Sequence, residues 1–289
     1  MLKYVSNKGG ITMKMPISVL NSMVPNVKGK KVSLYYLNSS LLAKKFLGLS
    51  DYEKRMKVER YEYGKKTTGI TALNLPVDIL ETERGFEAYV EPIIPGTLEG
   101  ELTTFCDYLN EHRYDITLDE ITNYILLVAN AVEECHKNKI VNPDMASDGN
   151  VLYHKGAGKV YLTDFQDMQV WSIGTKAISD FIVTDPILSK PKYTQGDRYS
   201  KNIDLYTLAI RYFYYATKLN LPRAAMFGVS FDDILRGTGI EHSELAKCIR
   251  RLHNPNKDNI DIRGPIEEIN KRYVISKFKE GEPRHFIRK

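Results

Sequence analysis

The chain has 289 residues, of which 43% are hydrophobic and 27% are charged, and its formal net charge at pH 7 is +5. This composition excludes a disordered or fibrous protein and predicts one or two packed units. Lysine and arginine residues are spread along the whole chain among nearly as many acidic residues, so the charge does not indicate binding of nucleic acid.

The three cysteines predict a protein of a reducing compartment. Cys106, Cys135 and Cys248 are odd in number, far apart in the sequence, and lack the spacing of a metal site. The N-terminal residues contain no apolar core of signal-peptide length, and nowhere do about eighteen apolar residues follow one another. We therefore expect a cytoplasmic protein that does not enter membranes, with an oligomeric state that the sequence leaves open.

The first third of the chain predicts an antiparallel sheet with one helix. Residues 32–37 and 41–46 are rich in strand-forming side chains and flank a turn, and a second such pair lies at 75–80 and 86–90. Between the pairs, Ser50 is followed three residues later by a glutamate, which is the pattern of a capping box at the start of a helix.

Helices dominate the rest of the sequence. Residues 118–136 carry apolar side chains at helical spacing, and two short strands are predicted at 151–153 and 159–162. Further helical patterns occupy residues 203–218, 241–252 and 265–273.

One stretch between residues 140 and 165 carries a specific set of oxygen ligands. It reads I-V-N-P-D-M-A-S-D-G-N-V-L-Y and then G-K-V-Y-L-T-D-F, with Asp144, Asn150 and Asp164 at the ends of loops and strands. This resembles the H-R-D-L-x-x-x-N and D-F-G motifs of the protein kinase superfamily. The resemblance implies that Asp144 is the catalytic base and that Asn150 and Asp164 bind the Mg²⁺ that accompanies ATP.

Two other stretches resemble the same family. Residues 192–208 are similar to the end of a kinase activation segment and the helix that follows it, in which Asp204 would brace the backbone of the catalytic loop. Residues 245–269 are similar to the last helices of a protein kinase domain. The resemblance covers about residues 30–275 and implies an α+β, bilobal protein kinase-like fold, with a small lobe of antiparallel strands and one helix in residues 1–95 and a mainly α-helical large lobe in residues 96–289.

The resemblance also implies a nucleotide site. Lys44 would contact the α and β phosphates from a strand, although Lys45 on the opposite face remains an alternative, and Glu59 would support the lysine from the inward face of the helix. Gly29 lies in the turn that corresponds to the glycine-rich loop, and the backbone of Glu91 and Ile93 would contact the adenine edge.

Several positions depart from the kinase pattern. The His-Arg pair before the aspartate is replaced by Asn142 and a proline, and five residues rather than four separate Asp144 from Asn150, so that a bulge is expected at 147–149. Lys192 occupies the position of a glutamate that pairs with an arginine such as Arg263, which predicts repulsion there.

These observations together predict an ATP-dependent phosphotransferase of the protein kinase type that acts on Ser or Thr hydroxyl groups of a protein substrate. The alternatives are a pseudokinase that serves as a nucleotide-binding or scaffold module, or an enzyme of the same fold that transfers adenylate or phosphorylates a small molecule.

Overall fold

The computed structural model describes residues 25–29, 31–67, 69–83, 85–142, 145, 148–165, 168–170, 194–195, 198–221, 224, 227–252 and 260–289. Over these residues the protein is mixed α/β, with seven α-helices and a five-stranded antiparallel sheet. The chain divides into two compact units. The first contains the described residues up to 101 together with 164 and 165, and the second contains the remaining described residues.

The first unit is built on the five-stranded sheet. Its elements are β1 (Val27–Lys28), β2 (Val32–Tyr36), β3 (Leu41–Phe46), α1 (Asp51–Gly64), β4 (Asp78–Thr82) and β5 (Gly85–Pro92). The strands lie in the order β1-β2-β3-β5-β4 and every neighbouring pair is antiparallel. The predicted antiparallel sheet and the helix that follows Ser50 are therefore confirmed over the described residues, although β4 begins three residues later than the sequence pattern indicates.

Helix α1 begins at the predicted capping box. The Ser50 hydroxyl accepts a hydrogen bond from the Glu53 N–H, and the Glu53 carboxylate accepts one from the Ser50 N–H at 2.8 Å. These reciprocal bonds satisfy two N–H groups that a helix start leaves without partners. The hydrogen bonds from Ser50 also lower the pKa of the Glu53 carboxyl.

Both faces of the sheet are packed. One face carries the buried cluster of Tyr35, Leu41, Ala43, Leu80, Ala88 and Val90. The other carries Phe46, Tyr61, Phe86 and Tyr89. Side chains alternate along a strand, but Phe86 shares a face with Tyr89 because the register of β4 and β5 shifts at Leu80–Glu81.

The second unit contains six helices over the residues that are described. Its helices are α2 (Phe105–Glu111), α3 (Leu118–Lys137), α4 (Asn202–Thr217), α5 (Phe231–Gly237), α6 (Glu244–Leu252) and α7 (Arg263–Arg272). Its strands are β6 (Leu102–Thr104), β7 (Ile140–Val141), β8 (Val151–His154), β9 (Lys159–Leu162), β10 (Gln169–Val170), β11 (Thr194–Gln195), β12 (Arg198–Tyr199), β13 (Tyr273–Ile275) and β14 (Phe286–Arg288). The predicted apolar stripe of α3 is buried along its length. None of the helices in the described ranges has the length and hydrophobicity required to cross a membrane.

Candidate functional site

Lys44 lies in the middle of β3 and is almost fully buried. Its ammonium group forms an ion pair with the Oδ1 atom of Asp164, a residue 120 positions later in the sequence that belongs to the same unit. Lys45 is only partly buried and, as its neighbour on a strand, projects from the opposite face. Of the two lysines that the sequence left open, Lys44 is therefore the one that the fold brings to the predicted metal ligand.

The backbone of Asp164 has an unusual conformation. Its φ angle is 62°, in the left-handed region that aspartate tolerates better than most residues. The preceding residue is anchored, because the Thr163 N–H donates to the Asn150 carbonyl at 3.1 Å and the Thr163 hydroxyl donates to the Gly149 carbonyl at 3.2 Å. Strained backbone of this kind is concentrated at functional sites in proteins. The side chain of Asp164 is 34% exposed, so its carboxylate remains within reach of a ligand.

Phe165 ties the same segment to helix α1. Its side chain is buried, and a Cβ atom placed on Gly64 would lie 3.2 Å from the Phe165 ring. That distance is shorter than an ordinary van der Waals contact, so a glycine at the end of α1 allows the ring to pack closely.

The prediction that Glu59 lies on the inward face of the helix is wrong. Glu59 is exposed, and the residues of α1 that are buried include Lys57, Arg60 and Tyr61. The Lys57 ammonium lies 4.0 Å from the centre of the Phe46 ring, so a cation with a long aliphatic stem covers the sheet where the sequence suggested a carboxylate. Glu59 instead lines an open groove of about 360 Å³ beside Lys54, Arg55 and Glu81.

Gly29 closes the turn between β1 and β2. Its N–H donates to the Val32 carbonyl at 2.8 Å, so that this donor is already used. A Cβ atom at Gly29 would lie 2.7 Å from the same carbonyl oxygen. The structure thus gives Gly29 a conformational role, and its predicted contact with the nucleotide is untested.

We expect Gly29→Ala to lower the free energy of unfolding by about 1 kcal/mol, because the new methyl group meets a backbone oxygen that cannot move without opening the hairpin. Urea denaturation followed by circular dichroism measures the change. Lys28→Ala, at an exposed position of the same hairpin, is the control. Equal stability of the two variants would contradict this account of Gly29.

The two residues predicted to meet adenine lie at the end of β5. Glu91 is buried, pairs with Leu42 of β3, and has a carboxylate oxygen 3.5 Å from the Asn74 amide nitrogen. The Ile93 N–H donates to the Ser40 carbonyl at 2.8 Å. The N–H that was expected to reach the nucleotide base is therefore bonded within the sheet.

In the second unit, a buried carboxylate holds the segment that leads to the predicted base. The Oδ2 atom of Asp204, near the start of α4, accepts hydrogen bonds from the Asn142 N–H at 3.1 Å and from His136 Nε2 at 2.7 Å. The predicted brace between Asp204 and the loop backbone is therefore confirmed. The involvement of His136 was not predicted, although its position at the end of α3 was. Asp144 lies outside the described residues.

Asn150 is the last residue of a short 3₁₀ turn that starts at Asp148, immediately before β8. Its side chain is buried, and its carbonyl holds Thr163 as described above. Most of the loop in which the bulge is expected lies outside the described residues, so the bulge stays a prediction. The role of Asn150 as a metal ligand stays a prediction.

Arg263, which was expected to face Lys192, has a different partner. It forms an ion pair with Glu133 of α3, and Lys137 pairs with the same carboxylate at 2.9 Å. Hydrogen bonds from Lys137 and Arg263 lower the pKa of Glu133 to about 2. Lys192 lies outside the described residues, so its predicted repulsion remains a prediction.

Comparison of the chain with models of known protein families and with curated protein sequences finds no match.

Proposed function

We propose that this chain is an ATP-dependent phosphotransferase of the protein kinase type that modifies Ser or Thr hydroxyl groups of a protein substrate. In this proposal Asp144 orients the attacking hydroxyl, and Asn150 and Asp164 hold Mg²⁺. Lys44 contacts the phosphates. Carboxylate and amide oxygens are the ligands that Mg²⁺ accepts alongside phosphate oxygens, and an ammonium group suits a phosphate, so the side chains present are chemically adequate.

The observation that carries the proposal is the ion pair between Lys44 and Asp164. The sequence predicts one of them as a phosphate contact and the other as a metal ligand from motifs 120 residues apart, and the two side chains form an ion pair within the first unit. Phosphoryl transfer requires a cation and a metal-binding carboxylate at the same phosphates, which is what this pair offers.

Two further observations support the proposal. The buried carboxylate of Asp204 accepts a hydrogen bond from the backbone N–H of Asn142, which precedes Asp144 by two residues in the sequence. The five-stranded sheet and helix α1 are also features that the resemblance implies for the small lobe. A bilobal kinase fold, a protein substrate and a cytoplasmic location are part of the proposal.

A pseudokinase is the second candidate. It is favoured by the Gly29 and Ile93 N–H groups, since the first donates to the Val32 carbonyl across the turn and the second to the Ser40 carbonyl, so that neither is offered to a nucleotide in this arrangement. Calorimetric titration with ATP and Mg²⁺ separates an inert scaffold from a nucleotide-binding protein. Mass spectrometry of the reaction products then distinguishes transfer of phosphate from transfer of adenylate, and a search of small-molecule acceptors covers the remaining alternative.

A matched pair of lysine variants tests the proposal. Lys44→Met should reduce the rate of phosphate transfer from ATP by at least about 10²-fold, because it removes a positive charge from the phosphates, whereas Lys45→Met should stay within about threefold of the wild-type rate. The measured quantity is the initial rate at which labelled phosphate is transferred from ATP to a generic acidic or basic protein acceptor.

Both variants are checked for an unchanged far-ultraviolet circular dichroism spectrum, since Lys44→Met also removes the ammonium group that pairs with Asp164. Asp164 is about one third exposed, so we expect this second effect to cost only about 1 kcal/mol of stability. Equal rates for the two variants, or a larger loss in Lys45→Met, would refute the assignment of Lys44.

A further inference from the structure

At the end of β5, the backbone groups that face β3 are already hydrogen-bonded to that strand and to the residue before it. The ladder between the two strands runs through the pairs Leu42 with Glu91 and Leu41 with Pro92. It continues one residue past the strand, where the Ile93 N–H donates to the Ser40 carbonyl at 2.8 Å. The segment predicted to read the base therefore remains part of the sheet.

The other side of the segment is also occupied. The Val90 carbonyl accepts a hydrogen bond from the Val77 N–H at 2.8 Å, and the Pro92 carbonyl accepts one from the Asn74 amide at 3.3 Å. Backbone groups of successive strand residues point in opposite directions, so those of Glu91 and Ile93 point toward β3. Pro92 has no N–H at all. Each N–H of residues 91–93 is thus either absent or directed at β3.

This arrangement bears on how a nucleotide base is recognised. The ring nitrogen N1 of adenine accepts a hydrogen bond, whereas N1 of guanine and of hypoxanthine carries a hydrogen and donates. A site that selects adenine through its Watson–Crick edge needs a donor opposite N1. Sites that hydrogen-bond a ligand reject an analogue without that group by about 10⁴-fold, whereas contacts of shape alone discriminate far less.

We propose that this chain reads the phosphates and not the purine edge, and that it therefore binds ATP, GTP and ITP with similar affinity. The proposal rests on the nucleotide-binding function proposed above. In this proposal the hydrogen bond from the Ile93 N–H to the Ser40 carbonyl determines base selectivity, because it occupies the donor that would otherwise recognise adenine.

Isothermal titration of the full chain with the Mg²⁺ complexes of ATP, GTP and ITP tests the inference without reference to catalysis. Dissociation constants within about tenfold of one another support it. An affinity for ATP more than about tenfold above the other two would overturn it, since that preference requires a donor on the base-reading segment. Failure of all three nucleotides to bind would instead overturn the proposed function on which the inference depends.

A variant tests the role of the single N–H directly. Ile93→Pro removes this donor, and we expect the ratio of the ATP and GTP dissociation constants to be unchanged in it. A selective loss of ATP binding by tenfold or more would show that the N–H leaves Ser40 to bind the base, and would refute the proposal. Should this variant fail to fold, as judged by circular dichroism, the titrations of the unaltered chain decide the question alone.

Discussion

Replacing Asp164 by asparagine is expected to reduce Mg²⁺-dependent phosphate transfer from ATP by about 10³-fold. The substitution keeps the size of the side chain but removes the negative charge that would hold the metal, and transfer of a phosphoryl group depends almost entirely on positioning and on stabilisation of charge. Phosphate transfer is measured with labelled ATP over a range of Mg²⁺ concentrations, because a weakened metal site is partly rescued by excess metal.

The stability of the Asp164 variant separates a metal role from a structural one. The carboxylate also neutralises Lys44, so the asparagine variant should unfold at a somewhat lower urea concentration, in proportion to a cost of about 1 kcal/mol. Asp51→Asn, at the exposed start of helix α1, provides a carboxylate change of the same chemistry away from the pair. Full transfer activity in Asp164→Asn would refute both the metal assignment and the proposed phosphotransfer.

Local signals made most of the first unit predictable. The helix start at Ser50 depends on two residues three positions apart, and the strand pairs depend on runs of five or six residues. These elements can be predicted because all the residues that determine them lie within a few positions of one another in the sequence. The location of Asp164 just after β9 is predictable in the same way, because the residues before it form a run of strand-forming side chains.

The contacts of the candidate site were less predictable because they join distant residues. The apolar pattern of α1 predicts the wrong inward face, because the buried residues include Lys57 and Arg60, whose long side chains can pack in the interior although they end in charged groups. The bond between Ile93 and Ser40 depends on how far β5 stays paired with β3, and no residue type marks that point.

The end of the chain shows the same limit. Strands β13 and β14 pair across the ten residues 276–285, a connection too long for a hairpin turn signal. Arg284 in this connection is 2% exposed, and its guanidinium donates to the Arg113 carbonyl and stacks 5.4 Å from the Phe278 ring. Arginine is rarely buried to this extent, so the residue type itself predicts an exposed position for Arg284.

Asp204→Ala is expected to lower the free energy of unfolding by about 3 kcal/mol, because it removes the acceptor of the buried Asn142 N–H and of the partly buried His136 Nε2. Asp204 itself is fully buried, so water does not replace the lost oxygen without rearrangement of the surrounding side chains. Urea denaturation at fixed pH measures the change, and Glu267→Ala on the exposed face of α7 is the control, with an expected effect below about 0.5 kcal/mol.

The same pair of residues distinguishes a brace for the loop from a simple core contact. If Asp204 and His136 act through one hydrogen bond, the stability losses of Asp204→Ala and His136→Phe will be less than additive in the double variant. Asp204 also accepts a hydrogen bond from the Asn142 N–H, two residues before Asp144. We therefore expect Asp204→Ala to lower the rate constant of phosphate transfer more than it raises KM for ATP. His136→Phe leaves that hydrogen bond in place and should lower the rate constant less. Strictly additive stability losses, or equal effects of the two variants on the transfer rate, would show that the buried carboxylate does not position the segment that carries Asp144.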